Sequence, residues 1–234
     1  MAQYYQGDQT TIATPSMAVQ SRAEFVIKTY NHLFAAIAAF TLIEVALFRS
    51  GWAEVIATNL LGVNWLLVLG GFVLVSWMAS RAAHTAESLG VQYAALAAFV
   101  VAEAIIFVPM LYLADTYAPG AIKSATVVTL TGFAGLTFVA FTTRKDFSFL
   151  AGILRWGGIV ALLAIVGGVL FGFQLGTWFS VAMVGLAGAA ILYDTSNIIH
   201  NFPEDRYVGA ALELFASVAL MFWYVLRMFL GSRD

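Results

Sequence analysis

ILYDTSNIIH, residues 191–200, closes an apolar run that starts near Gly176 and sets Asp194 inside a stretch otherwise suited to lipid. The polar loop 201–206 follows at once. A charged side chain at the bilayer centre costs about 2.5–3.5 kcal/mol on insertion scales. A chain carries it where it faces a polar interior, or where it lies near enough to the interface to reach water. The depth and the neighbours of Asp194 decide between the two.

The rest of the chain has the same character. Of 234 residues, 62% are hydrophobic and only 10% are charged. Soluble domains carry about 25% charged residues, so this is an integral membrane protein. A net charge of −2 without a basic patch argues against a nucleic-acid partner. With no cysteine, disulfides, thiolate metal sites and thiol catalysis are excluded. Residues 1–28 lack the short apolar core of a cleavable signal peptide, so the first membrane helix is expected to direct insertion.

Runs of about 20 apolar residues are long enough to span a bilayer. They fall at 29–48, 60–80, 91–113, 121–142, 153–172, 176–199 and 207–230, which predicts an all-α, polytopic bundle of seven transmembrane helices. Residues 1–23 are polar and read as a flexible tail, leaving 24–234 as the membrane domain. The connections are short and polar, among them 49–59, and the fifth and sixth spans form a tight hairpin.

Basic residues near span ends set orientation. Arg22, Lys28, Arg81, Arg144, Lys145, Arg155 and Arg206 lie on the amino-terminal side; Arg49, Lys123, Arg227 and Arg233 lie opposite. The amino terminus is thus expected in the cytoplasm and the carboxyl terminus outside. Gly168 with Gly172, and Gly185 with Ala189, have the spacing of close helix contacts. Pro109 is expected to bend the third span.

Four acids fall within spans: Glu44, Glu103, Asp194 and Glu213. Glu44, near the outer end of the first span, is expected to reach water by snorkelling. Glu103 stands near mid-depth and reads equally as a functional acid or as a satisfied structural one. Asp194 and Glu213, on spans joined by a short loop, share a depth of about 8–9 Å from the cytoplasmic edge. If they face one another, the two carboxyls are expected to hold a single proton near neutral pH. The alternative is that both merely cap or snorkel at the interface. Asn197 shares a helical face with Asp194, and Ser217 shares one with Glu213. Arg81 is the natural cationic counterpart.

With these residues in place, the Tyr193-Asp194-Thr195 core resembles the sixth-helix signature of the Bax inhibitor-1 family, also called TMBIM or lifeguard. The Lys28-Thr29-Tyr30 entry to the first span, the 142–154 segment with Asp146, and Ala211-Leu212-x-Leu214-Phe215 are similar too. The resemblance implies a bundle with the last helix central, and a pH-sensitive pair of aspartates on the sixth and seventh helices. Asp194 matches the first aspartate. The second falls on Ser217, with Glu213 one turn away as a candidate replacement, and the family arginine maps to Arg81. A serine at that position and the closing Gly231-Ser232-Arg233-Asp234 resemble a bacterial inner-membrane branch that includes a modulator of the AAA protease FtsH.

Two functions follow from these expectations. One is a pH-sensitive calcium or cation leak channel whose site is Asp194, Glu213, Ser217, Arg81 and Asn197, with Asp194 and Glu213 as transient calcium ligands and no resident cofactor. The other is a modulator of FtsH that presents its polar tail to the protease. Enzyme readings find no support: there is no His-Glu-x-x-His or Gly-x-Ser-x-Gly motif, and His84 and His200 are placed in loops. A retinal protein needs a buried lysine, and Lys28, Lys123 and Lys145 lie at helix ends or in loops. Seven spans with no matching halves disfavour a transporter of inverted repeats.

Overall fold

Backbone groups inside a bilayer have no water to bond, so apolar runs of this length become helices that satisfy themselves. The computed structural model describes residues 15–231. It contains α1 (Pro15–Arg49), α2 (Trp52–Gly62), α3 (Trp65–Thr85), α4 (Leu89–Tyr117), α5 (Ala121–Thr143), α6 (Leu150–Phe171), α7 (Thr177–His200) and α8 (Tyr207–Gly231). Seven of these are long and apolar enough to cross a membrane. The exception is α2, whose 11 residues are too short.

Three boundaries differ from expectation. Helix α1 starts at Pro15, so the last part of the expected tail is helical; residues 1–14, and 232–234 with Arg233, lie outside the described residues. The polar connection at 49–59 is largely α2. Gly51, at φ 80°, supplies the left-handed turn that starts it. Ala53 and Ala57, one turn apart, then bury against Val108. Helix α3 begins at Trp65, not near residue 60, because the Asn64 side chain accepts a hydrogen bond from the Leu66 N–H at 2.9 Å and caps it. This later start carries α3 on to Thr85, which brings His84 into the last turn.

The core is built around α8. In its most apolar stretch 67% of residues are buried, as in α4, against 6% in α6. Helix α8 contacts α1, α3, α4, α5 and α7, so the last helix is central. Small residues permit the closest of these approaches. At Gly209 a Cβ would stand 3.1 Å from the carbonyl oxygen of Ala83, so α3 meets α8 backbone to backbone there.

The small-residue pairs expected at helix crossings serve otherwise. Gly172 ends α6 with φ 72°, and a Cβ on Gly168 would meet Phe173 of the same hairpin, so the pair shapes a turn. Nothing lies within 4 Å of the Cβ position at Gly185. The close contact on α7 is Gly188, where a Cβ would stand 3.3 Å from Leu136 and 3.6 Å from Met221.

Candidate functional site

Ile191, Asp194, Thr195 and Ile198 share one face of α7 at helical spacing. Ile191, Thr195 and Ile198 are fully buried, and the face they form carries Asp194 inward with them at 7% exposure. The neighbouring Ser196 anchors the loop before α6: its hydroxyl accepts from Phe147 N–H at 3.0 Å and donates to the Lys145 carbonyl at 3.3 Å. The 191–200 stretch is thus held on both sides.

Across from Asp194 stands Ser217 of α8, also buried, whose hydroxyl donates to Asp194 Oδ2 at 2.5 Å. That length belongs to the short, strong class of hydroxyl–carboxyl bonds. The residue that the family register sets opposite Asp194 is the one that touches it.

Glu213, one turn earlier on α8, is occupied elsewhere. Its Oε1 lies 2.8 Å from His84 Nε2. The other ring nitrogen, Nδ1, is 2.7 Å from the Ser80 carbonyl and so carries a proton to donate to it. Both nitrogens of His84 therefore face acceptors, the arrangement that suits an imidazolium beside a carboxylate. The Phe202 ring packs on His84 from the loop side, with centroids 5.7 Å apart. That loop is tied down by Arg22, which donates to the Phe202 carbonyl at 2.6 Å and meets Glu204 at 3.5 Å. Arg206 donates to the Ala86 carbonyl, which also accepts from Gln92 at 3.0 Å.

Two expected members stand apart from this cluster. Arg81 is exposed, with its guanidinium 5.5 Å from the Trp77 ring centre, and His84 takes the cationic place beside Glu213. One helical turn separates Arg81 from His84, and only the later residue faces α8. Asn197 serves the end of α7: its side-chain oxygen accepts from Asn201 at 3.2 Å, and its carbonyl accepts from the N–H groups of Asn201 and Phe202.

Asp194, Glu213 and Ser217 line a cavity of about 1100 Å³ that Glu103 also borders, with Ser76 and Ser80 across from them. Glu103 is buried at 7% exposure. The cavity follows α8 from Leu212 as far as Leu230, about 27 Å along the helix. At that far end Arg227 donates to the Leu175 carbonyl at 2.7 Å and stands 5.9 Å from the Phe179 ring. Acids therefore sit at one end and in the middle, and a cation at the other. Among the described residues no three acidic or histidine side chains gather closely enough to hold a metal ion, so Asp194 and Glu213 do not complete a calcium shell.

The sequence relationships agree with this architecture. A family profile described as "Inhibitor of apoptosis-promoting Bax1" matches residues 22–234. The chain belongs to the Bax inhibitor-1 family. Protein LIFEGUARD 4 of Arabidopsis thaliana is 27% identical over 231 residues, 95% of this chain and 91% of the plant protein. Modulator of FtsH protease YccA of Escherichia coli is 37% identical over 95 residues, 40% of this chain and 43% of its own length. An uncharacterized protein of Pseudomonas aeruginosa is 39% identical over 111 residues, 46% and 49% of the two chains. The chain thus spans less than half the length of either bacterial relative. It is a multi-pass membrane protein of the Bax inhibitor-1 type.

His84 and Arg227 are the two site residues that sequence reasoning passed over. The signal for His84 was Asn64: a helix capped there and long enough to span runs past residue 80. Arg227 entered only as a charge on the outer side, and nothing in its sequence neighbourhood says that it faces a cavity.

Proposed function

We propose that the chain is a proton-controlled leak pathway for cations, calcium among them, with the Asp194–Ser217 contact as its inner gate. The observation that carries this reading is the cavity along α8, with Glu103, Asp194 and Glu213 on its wall. Separated carboxylates offer a passing cation a succession of weak sites rather than a trap, which is what conduction requires. Carboxylate oxygens are also the ligands that calcium prefers. Protonation of Asp194 removes the charge that strengthens the Ser217 hydrogen bond, which loosens α7 from α8. Acidification is therefore expected to open the path. In this reading the loop at 201–206 and the amino terminus lie in the cytoplasm, on the side richer in lysine and arginine, and the carboxyl terminus lies outside. No reaction is assigned to the chain.

Calcium flux from protein reconstituted into vesicles, measured at several pH values, tests this. The expected result is flux that rises as pH falls and that loses its pH dependence in Asp194→Asn. Absence of flux at every pH, or an unchanged profile in that variant, removes the reading.

The likeness to YccA, whose name makes it a modulator of FtsH protease, favours a second reading. Here the chain regulates a membrane AAA protease by direct contact through the polar residues ahead of α1. Deleting residues 1–14 leaves the described part of α1 whole and is expected to abolish co-purification with the protease while sparing the leak. Failure of the full chain to co-purify removes this reading alone.

A further inference from the structure

Glu44 lies five residues before the end of α1 and is as buried as Asp194, at 7% exposure. Neither of its carboxylate oxygens has a hydrogen-bond partner. It faces a second cavity, of about 370 Å³, on the opposite side of α8 from the first. The backbones of α1 and α5 stay apart, with Tyr30 of α1 reaching the Phe133 and Phe141 rings of α5, and the cavity is the cleft between the two helices. Phe215, Val218 and Phe222 of α8 form its floor, and Phe40 and Phe107 stand on its walls. Thr129 of α5 also borders it, at 2% exposure, and its hydroxyl is likewise unpartnered. Asp115, exposed near the end of α4, adds a second carboxyl at the rim, and among the described residues no lysine, arginine or histidine lines the cleft.

A buried carboxyl without a partner is costly, and a cation beside it removes the cost. The kind of cation follows from the walls. A calcium ion takes 6–8 oxygen ligands, whereas Glu44 and Thr129 are the two buried oxygen-bearing side chains here. Aromatic faces instead attract an organic ammonium. The volume falls in the range of about 300–1,000 Å³ usual for small-molecule sites, which are mostly apolar with a few placed polar groups. We propose that this outer cleft is a binding site for a small organic ammonium ion, with Glu44 as its counter-ion, Thr129 as a hydrogen-bond acceptor, and the phenyl rings around its apolar body.

Calorimetric titration of the full chain in micelles, with phenethylammonium chloride against the uncharged isostere 2-phenylethanol, tests the proposal once binding to empty micelles is subtracted. The amine is expected to bind saturably and more tightly than the alcohol. Glu44→Gln is expected to weaken the amine by about tenfold or more and Thr129→Val by about threefold, as for loss of a charged and a neutral hydrogen bond. Neither change should alter the alcohol. Equal binding of amine and alcohol by the wild-type chain overturns the proposal even if Glu44→Gln does not fold. So does amine binding that both variants leave unchanged.

Discussion

Asp194 and Glu44 are buried to the same degree on opposite flanks of α8, yet they are held in different ways. The aspartate receives a hydroxyl from Ser217, while the glutamate receives nothing. The difference arises one helix away. The face of α7 that carries Asp194 lies directly on α8, as deeply buried as α4, so a partner is within reach. Glu44 opens into the cleft between α1 and α5, where no side chain bonds its carboxylate. A buried acid in a membrane bundle therefore does not by itself mark a fastened site. What marks one is the contact between its helix and the next.

The Asp194 flank depends first on the approach of α3 to α8, and Gly209 is the place to break it. A Cβ there already meets the Ala83 carbonyl oxygen at 3.1 Å, and backbone cannot swing aside as a side chain can. Gly209→Leu is expected to force α3 outward, to lower stability by about 3 kcal/mol as overpacking does, and to break the His84–Glu213 pair. Thermal unfolding in micelles measures the first effect, and the imidazole NMR shifts of His84 report the second.

The next largest effect belongs to Ser217. Removing its hydroxyl in Ser217→Ala leaves Asp194 as bare as Glu44 is. The expected loss is about 1.5 kcal/mol, near the upper end for interhelical hydrogen bonds in membranes. Ser217→Asp sharpens the comparison through its sign. Two carboxyls at this distance coexist when they share a proton and repel when both are ionised. The variant is therefore expected to be most stable in acid and to lose stability as pH rises, a trend absent from Ser217→Ala.

His84 and Glu213 are each about a third exposed, at 28% and 34%, so their pair is weaker. A double-mutant cycle with His84→Ala and Glu213→Gln is expected to give a coupling of about 0.2–1 kcal/mol, as solvent-screened pairs do. A coupling indistinguishable from zero would mean that Glu213 is held by its helix alone.

The fold was largely legible because lipid leaves so few choices: runs of 20 apolar residues become helices. Asp194 was legible for the same reason, since an acid in such a run stands out. Ser217 was not legible from physics, because a serine in a membrane helix carries no cost. Only the family register pointed to it. A second span ending at residue 80 favours Arg81 over His84, and the cap at Asn64 corrects that. The expectation that Glu44 snorkels fails for a reason present in the sequence. Leu33, Phe40, Glu44 and Phe48 share a helical face, and a face carrying two phenylalanines and a leucine turns inward, taking the acid with it.

The smallest expected effect closes the comparison from the other flank. Glu44→Gln keeps the shape of the side chain and removes only its capacity for charge. A group with no partner in the folded chain has no hydrogen bond, usually about 0.5–1.5 kcal/mol net, to lose, so stability is expected to change by less than that. The same exchange at Asp194 removes a charged acceptor from a bond already made and is expected to cost more, about 1 kcal/mol. Unfolding of the two variants side by side, in the absence of any amine, decides whether burial or partnership sets the energy of these acids. Equal losses would mean that burial does, and that the hydroxyl of Ser217 adds nothing to what the apolar wall already imposes.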